Sequence, residues 1–416
     1  MTATHDAIIV GAGPAGSTAA FVLAQKGADV LLLDKAVFPR DKLCAGLLTW
    51  KSMAVLERIF EETPQALLAT GVINAASSRY RIRFRERILA ESKSFYPFHF
   101  TQRRVFDAHL LDRALQAGAV SRQGCQVVSI DPVRGLVRLA DGEELTGRYL
   151  IGCDGVTSLT RRRCPFDGTA WRTGLGGALE IALDRNDPLL AGAVHEDLHA
   201  DQPTVYAGFL RAGYGWVFPH QNRLMIGVGG HSLVHGKEFI NKFKEFLVFL
   251  GLPAALAETA KGHGLPYGNF LKHPWYGRTL LAGDAAGLVE TLFGEGIYYA
   301  LRSGELAGEA VYAALTRGEA PETIYGRGLK RDILPELSWS RKLRRLLYAS
   351  QHLGFLPLLC FVRGGGRLLA EMVHGVRSYR LLRRRAAGPR EEEKTQKMPP
   401  AAGGMMPPDP SHGDNL

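Results

Sequence analysis

The sequence predicts an α/β chain in which a mostly parallel, helix-wound sheet is interrupted by an antiparallel sheet domain and followed by a helical region. Three observations carry this. Residues 7–10 form an unbroken apolar run that passes straight into Gly11-Ala12-Gly13-Pro14-Ala15-Gly16. Residues 73–100 and 166–265 change to alternating, glycine-punctuated strand signals. At 279–282 a buried-type apolar run returns, and a long helical pattern follows over 296–314. The chain therefore leaves its first sheet and comes back to it.

The opening segment is justified element by element. An all-apolar run suits a parallel strand covered on both faces. The pattern over 17–26 reads as a helix, closed by Gly27. Residues 30–33 make the next strand and end at Asp34, which completes a βαβ unit. Residues 79–88 alternate Arg79, Arg81, Arg83 and Arg85 against Tyr80, Ile82 and Phe84, which predicts one antiparallel strand with a wet face. A helix is expected over 106–117, then strands over 127–139 and 145–151 flanking an Asp141-Gly142 turn. Residues 338–386 read as helical, and from 388 onward periodicity vanishes and disorder is expected.

A chain of 416 residues exceeds one ordinary core, and 46% hydrophobic with 22% charged residues fits a globular protein. The five cysteines, Cys44, Cys125, Cys153, Cys164 and Cys360, form no CxxC pair. Neither a zinc site nor a disulfide framework is suggested, so a reduced, cytosolic compartment and no metal are expected. The N-terminal apolar run has no basic flank or cleavage site and reads as a strand, not a signal peptide. The net charge of +10 is local. Residues 341–386 alone hold ten arginines and one lysine against one glutamate. That region is either a packed helical unit with a solvated face or an interfacial element for the anionic inner face of a membrane. The apolar run within it, 346–362, is short for a membrane span. Nucleic acid is not expected, because aromatics are not interleaved with the charge.

Gly11, Gly13 and Gly16 stand in strand–turn–helix context. The first permits the tight turn, the second lets backbone approach a pyrophosphate, and the third allows close helix–strand packing. The helix start offers free N–H groups to phosphate. Asp34 stands where an acid takes a ribose diol. This predicts dinucleotide binding without separating FAD from NAD. Two later motifs have the same strand–Gly/Asp–helix form: Cys153-Asp154-Gly155-Val156-Thr157-Ser158, and Gly283-Asp284-Ala285-Ala286-Gly287.

The order of GxGxxG, then Arg103 in Arg103-Arg104-Val105-Phe106-Asp107, then Asp154-Gly155, then Gly283-Asp284 resembles the para-hydroxybenzoate-hydroxylase-like FAD superfamily. Within it, three segments resemble the geranylgeranyl reductase family. They are Phe38-Pro39-Arg40-Asp41-Lys42-Leu43-Cys44-Ala45-Gly46-Leu47-Leu48-Thr49, then Tyr214-Gly215-Trp216-Val217-Phe218-Pro219 with seven residues before Gly227-Val228-Gly229, and Gly283 through Gly294-Glu295-Gly296-Ile297-Tyr298-Tyr299-Ala300. Ala45 replaces a glycine the family usually has after its cysteine, and Glu290-Thr291 stands where Asp-Pro is common.

The resemblance implies a Rossmann-like FAD-binding domain (1–72, 101–165 and 270–330), an inserted antiparallel-sheet substrate domain (73–100 and 166–269) and a C-terminal basic helical region (331–387), ahead of a disordered tail (388–416). It implies that FAD meets Gly11, Gly13, Pro14, Ala15 and Gly16, with Asp34 and Lys35 at the adenosine ribose. Arg103 would lie near the pyrophosphate, Asp284 and Gly283 at the ribityl chain, and Asp154 behind the site. Cys44, Ala45 and Gly46, and Gly294, Glu295, Gly296 and Ile297, would face the flavin. Trp216, Phe218 and Pro219 would line the substrate side.

The implied reaction is reduction of isoprenoid C=C bonds on a polyprenyl lipid, quinone or chlorophyll-type chain. Electrons would come from NAD(P)H or a ferredoxin-type carrier. Monooxygenase or halogenase chemistry on the same scaffold is the alternative. Alkene reduction needs a proton donor in a dry slot, and Cys44 and Tyr214 are the candidates. Cys44 read alone is equally a small buried thiol, Tyr214 an aromatic wall, and Trp216 with Phe218 ordinary sheet core.

Overall fold

The computed structural model describes residues 4–232, 236–352 and 365–380. Cys360, the tail from 388, and much of the apolar run 346–362 lie outside the described residues.

The first sheet has strand Thr4–Val10 at its centre. Val30–Leu33 and then Val120–Arg122 lie on one side, and Glu144–Gly152 and Thr279–Leu281 on the other, all parallel. Trp275–Tyr276 adds an antiparallel edge. The register aligns Val10 with Leu33 and with Gly152, and Gly152 with Leu281. Gly11, Asp34, Asp154 and Gly283 therefore follow their strands at one common carboxyl edge, the place where open α/β sheets bind ligands. Ala7, Ile8, Ile9 and Leu32 are fully buried, as helix-covered strands require.

Helix Pro14–Ala24 packs against the long helix Ile297–Arg317 at a separation only glycine permits. A Cβ on Gly304 would lie 2.2 Å from the carbonyl oxygen of Ala15. This contact sets the start of the long helix beside the glycine turn.

The second sheet runs in the order Lys261–Pro266, Leu175–Asp184, Arg223–His231, Gly213–Pro219, Thr204–Ala207, Ala75–Phe84, Arg87–Phe100, Leu47–Leu48. It is antiparallel except where Thr204–Ala207 pairs with Ala75–Phe84. One face packs on helix Phe239–Phe249 through Phe243, Phe246 and Val217. The other face, carrying Tyr80, Trp216 and Phe218, looks toward the first sheet.

Three sequence expectations are corrected. Residues 79–88 are not one strand; the chain turns after Phe84, with Arg85 at φ 49°, and returns as Arg87–Phe100. Nor is the arginine face wet throughout: Arg79 and Arg85 are exposed, but its two central arginines are not. Arg81 and Arg83 are buried against the fully buried carboxylate of Asp197, which also accepts the Tyr206 hydroxyl. A buried counter-charge from a distant turn inverts the usual reading of alternating arginines. Residues 127–139 form two strands, Val127–Asp131 and Leu136–Leu139. Asp131 Oδ1 accepts the Val133 and Arg134 N–H groups and bends the chain between them.

The C-terminal region is helical over Leu334–His352 and Gly365–Val373, and leaves the helix over 374–380. Part of its charge turns inward. Arg344 donates to the Tyr267 carbonyl at 2.8 Å, and Arg341 to that of Gly268 at 3.0 Å. Arg367 and Arg377 both pair with Glu371. No helix among the described residues is long and apolar enough to cross a membrane.

Candidate active site

A cavity of about 880 Å³ lies between the carboxyl edge of the first sheet and the inner face of the second. Its nucleotide end is built from the glycine turn. Gly11 sits at φ 102°, and a Cβ there would meet the Cys153 carbonyl at 2.4 Å. Gly13, Pro14 and Ala15 line the cavity, but Gly16 does not. A Gly16 Cβ would fall 1.8 Å from the Gly11 carbonyl oxygen, so this glycine lets the helix close onto the turn and offers no contact surface. Asp34 is oriented by backbone: its Oδ2 accepts the Ala12 N–H at 2.7 Å and its Oδ1 the Ala36 N–H at 2.8 Å. Lys35 stands exposed beside it.

Arg103 is held bidentately by Asp107 at 2.6 and 2.7 Å and also interacts with the Cys44 sulfur. Asp107 shares its charge with Arg40, whose Nη2 lies 2.9 Å away. The Nη1 of Arg40 is buried with no hydrogen-bond partner among the described residues, and the guanidinium lies next to Gly13. A buried, unpaired guanidinium N–H beside a glycine turn at a helix start is the donor set a pyrophosphate requires. The residues present therefore fit a dinucleotide. Arg40 was quoted in the sequence only as part of a motif; its geometry is what marks it.

Asp154 lines the cavity, but its carboxylate is taken up by its own turn. It accepts the Ser158 hydroxyl and both the N–H and hydroxyl of Thr160, so it shapes this turn of the cavity wall. Gly283 is fixed by its N–H to Ser303 Oγ at 2.9 Å, and Asp284 points into the cavity within electrostatic reach of Lys42. Lys42 Nζ donates to His263 Nε2 at 2.6 Å. Burial, reinforced by Lys42, lowers the His263 pKa to about 4, so this imidazole is a neutral acceptor. Sequence reading singled out neither residue, because they are 221 positions apart.

Cys44 lines the cavity, its sulfur accepting the Gly46 N–H at 3.4 Å. Its loop is pinned from the second sheet by His220, whose Nε2 donates to the Ala45 carbonyl at 2.9 Å. Burial lowers the His220 pKa to about 4. Opposite, Gly294, Glu295, Gly296 and Ile297 present the start of the long helix. Glu295 is buried, accepts the Tyr298 N–H at 2.9 Å, and pairs with Lys51.

Tyr214, Trp216 and Phe218 line the cavity together, as strand alternation requires. Pro219 does not line it; at the strand end it lies out of phase with that row. The Tyr214 hydroxyl donates to the Phe293 carbonyl, and burial raises its pKa well above 10. That proton is committed to holding the loop. The apolar end is closed by helix Gly365–Val373, through Leu369, Ala370 and Val373. Glu180, two strands over on Leu175–Asp184, is a further wall residue that sequence reading passed over.

A glycine turn, an acid-capped second strand and a deep mixed polar–apolar cavity are the parts of a dinucleotide-dependent oxidoreductase. The FAD binding domain family matches residues 4–222. The menaquinone reductase of Mycobacterium tuberculosis is 32% identical over 327 residues, covering 73% of this chain and 75% of that protein. The geranylgeranyl diphosphate reductase of Rhodobacter capsulatus is 32% identical over 323 residues, covering 73% and 74%. A geranylgeranyl bacteriochlorophyll reductase-like structure from Thermoplasma acidophilum shares the fold, with a TM-score of 0.69 at 20% identity over 89% of this chain and 96% of that one. The chain belongs to the FAD-binding geranylgeranyl reductase family.

Proposed function

We propose that this protein reduces C=C bonds in the isoprenoid chain of a lipid, quinone or chlorophyll-type substrate. The observation that carries the reading is that the Cys44 loop and the Tyr214–Trp216–Phe218 row face each other across one cavity whose far end is apolar. The names of the two curated relatives supply the substrate class.

Gly13, Arg40 and Arg103 hold the FAD pyrophosphate, Asp34 the adenosine ribose, and Asp284 the ribityl chain. Bound FAD, once reduced, supplies hydride. The chain's own residues do the rest. Trp216, Phe218, Tyr80 and Phe98 exclude water from the isoprenoid and align it. Cys44 holds a proton at Sγ for the carbon next to the one that gains hydride. Tyr214 is the weaker donor, since its hydroxyl already serves the Phe293 carbonyl. The start of helix Ile297–Arg317 places positive dipole density beside the flavin. NAD(P)H or a ferredoxin-type carrier supplies the electrons. The basic region 341–386 meets the anionic inner face of a membrane, where such a substrate resides.

The test is an anaerobic single turnover of chemically reduced protein with a geranylgeranylated lipid or quinone, followed by flavin reoxidation and mass spectrometry. Reoxidation with gain of hydrogen and no oxygen is expected. Oxygen incorporation only after air is admitted would replace this reading with a monooxygenase.

A further inference from the structure

Glu180 is 3% exposed on a strand whose sequence, Leu-Gly-Gly-Ala-Leu-Glu-Ile-Ala-Leu-Asp, gives no reason to bury a carboxyl. The sheet supplies one. Glu180 pairs across to Gly227, and Gly227 pairs to Trp216. A Cβ on Gly227 would lie 2.4 Å from the Trp216 ring, so only glycine lets the indole lie over this strand. Trp216 Nε1 thereby donates to Glu180 Oε2 at 3.1 Å. The second oxygen, Oε1, is buried and has no hydrogen-bond partner among the described residues, and the carboxyl lines the cavity.

Burial raises the Glu180 pKa to about 8, against the opposing pull of the Trp216 hydrogen bond. At neutral pH the group is therefore a carboxylic acid. With Oε2 accepting from the indole, its O–H is left on the unpartnered Oε1 of a residue that lines the cavity. The titratable neighbours are otherwise engaged. Lys261, opposite Glu180 on the next strand, is solvent-exposed. Arg81, also at the cavity, is paired with Asp197 and Glu91. Lys42 is bound to His263. Tyr214 is neutral and tied to Phe293. An unmet O–H in such a setting carries a desolvation penalty that a hydrocarbon chain cannot relieve.

We propose that Glu180 is a specificity-determining residue whose hydroxyl donates a hydrogen bond to an uncharged oxygen carried by the otherwise apolar ligand. This rests on reading the cavity as an isoprenoid slot and adds what the isoprenoid must carry. The acceptor can be the ring carbonyl of a prenylated quinone or the hydroxyl of a prenyl alcohol; the chemistry is shared. A site built around a donor discriminates against a ligand that lacks the acceptor.

The test uses oxidised, FAD-loaded protein, so no turnover occurs. Three probes of equal chain length are equilibrated with it: a geranylgeranylated naphthoquinone, geranylgeraniol, and the corresponding hydrocarbon. The bound fraction is measured by mass spectrometry. At pH 7 an oxygenated probe is expected to bind about tenfold tighter than the hydrocarbon, and the quinone and alcohol arms identify the acceptor. The preference should shrink as pH rises through about 8, where the carboxyl loses its proton. Glu180→Gln, which keeps a donor, should retain the preference and lose its pH dependence. Glu180→Leu should abolish the preference while binding the hydrocarbon at least as well as wild type. A Leu variant that keeps the full preference, or a Gln variant that loses it, overturns the proposal. Because the readout is equilibrium binding, it stands or falls independently of whether C=C reduction is found in the single turnover.

Discussion

Lys51 Nζ lies 2.7 Å from Oε2 of Glu295, with both side chains buried. The pair ties helix Trp50–Phe60 to the loop that begins the long helix at the flavin end of the cavity. Lys51 also lies over the Tyr298 and Tyr299 rings, at 4.8 and 4.5 Å. Removing one partner strands the other charge in a dry site. Lys51→Met should therefore cost about 3–5 kcal/mol of stability and weaken FAD retention. Lys51→Met with Glu295→Leu should recover much of that stability. Thermal unfolding and FAD release of the three proteins check this; a single variant as stable as wild type would show that the pair contributes nothing.

Cys44→Ser should keep FAD and lose alkene reduction by about 100-fold or more, the usual contribution of a positioned proton donor. Single-turnover rates with matched flavin occupancy measure it. Retention of the full rate removes Cys44 from proton delivery and leaves it a packing residue of the loop.

Arg40→Leu should weaken FAD by about 1.5–3 kcal/mol, the range for hydrogen bonds to charged groups. Stability without FAD should change little, because Asp107 keeps Arg103 as its partner. Titration of apoprotein with FAD checks the first part and thermal unfolding the second. Unchanged FAD affinity would mean that the unpaired Nη1 does not meet the pyrophosphate.

Stability should depend on pH through Glu180. Its carboxyl moves from 4.5 to about 8 on folding. Its contribution is complete below pH 4.5, where both states hold the proton. It declines as pH rises, because the unfolded chain releases the proton first, and is lost by about pH 8. The ceiling is about 5 kcal/mol. Glu180→Gln stays neutral throughout, so its melting temperature should gain on wild type more at pH 8 than at pH 5. An equal difference at both values would mean that the group ionises normally.

Much of the nucleotide end was legible in the sequence, because local sterics write it there. The apolar run before Gly11, the spacing to Gly16 and the acid at Asp34 are requirements of one turn and two short strands. The slot was legible only along single strands. Alternation put Tyr214, Trp216 and Phe218 on one face, yet nothing local to strand Leu175–Asp184 announces that Trp216 reaches Glu180, since that contact depends on Gly227 between them. Arg81 and Arg83 misled for a related reason. Their partner Asp197 lies more than a hundred residues away, and an arginine in alternation looks solvated until its counter-charge is located. Helix Gly365–Val373 fell in a basic region that read either as a packed helical unit or as an interfacial element, and only its packing on strand Arg87–Phe100 brings it to the cavity.

That helix makes the apolar half of the cavity a joint product of distant stretches of chain. Its wall of Leu369, Ala370 and Val373 comes from a helix packed on strand Arg87–Phe100, nearly three hundred residues earlier in the chain. The slot therefore has no complete apolar side until these two stretches have been brought together.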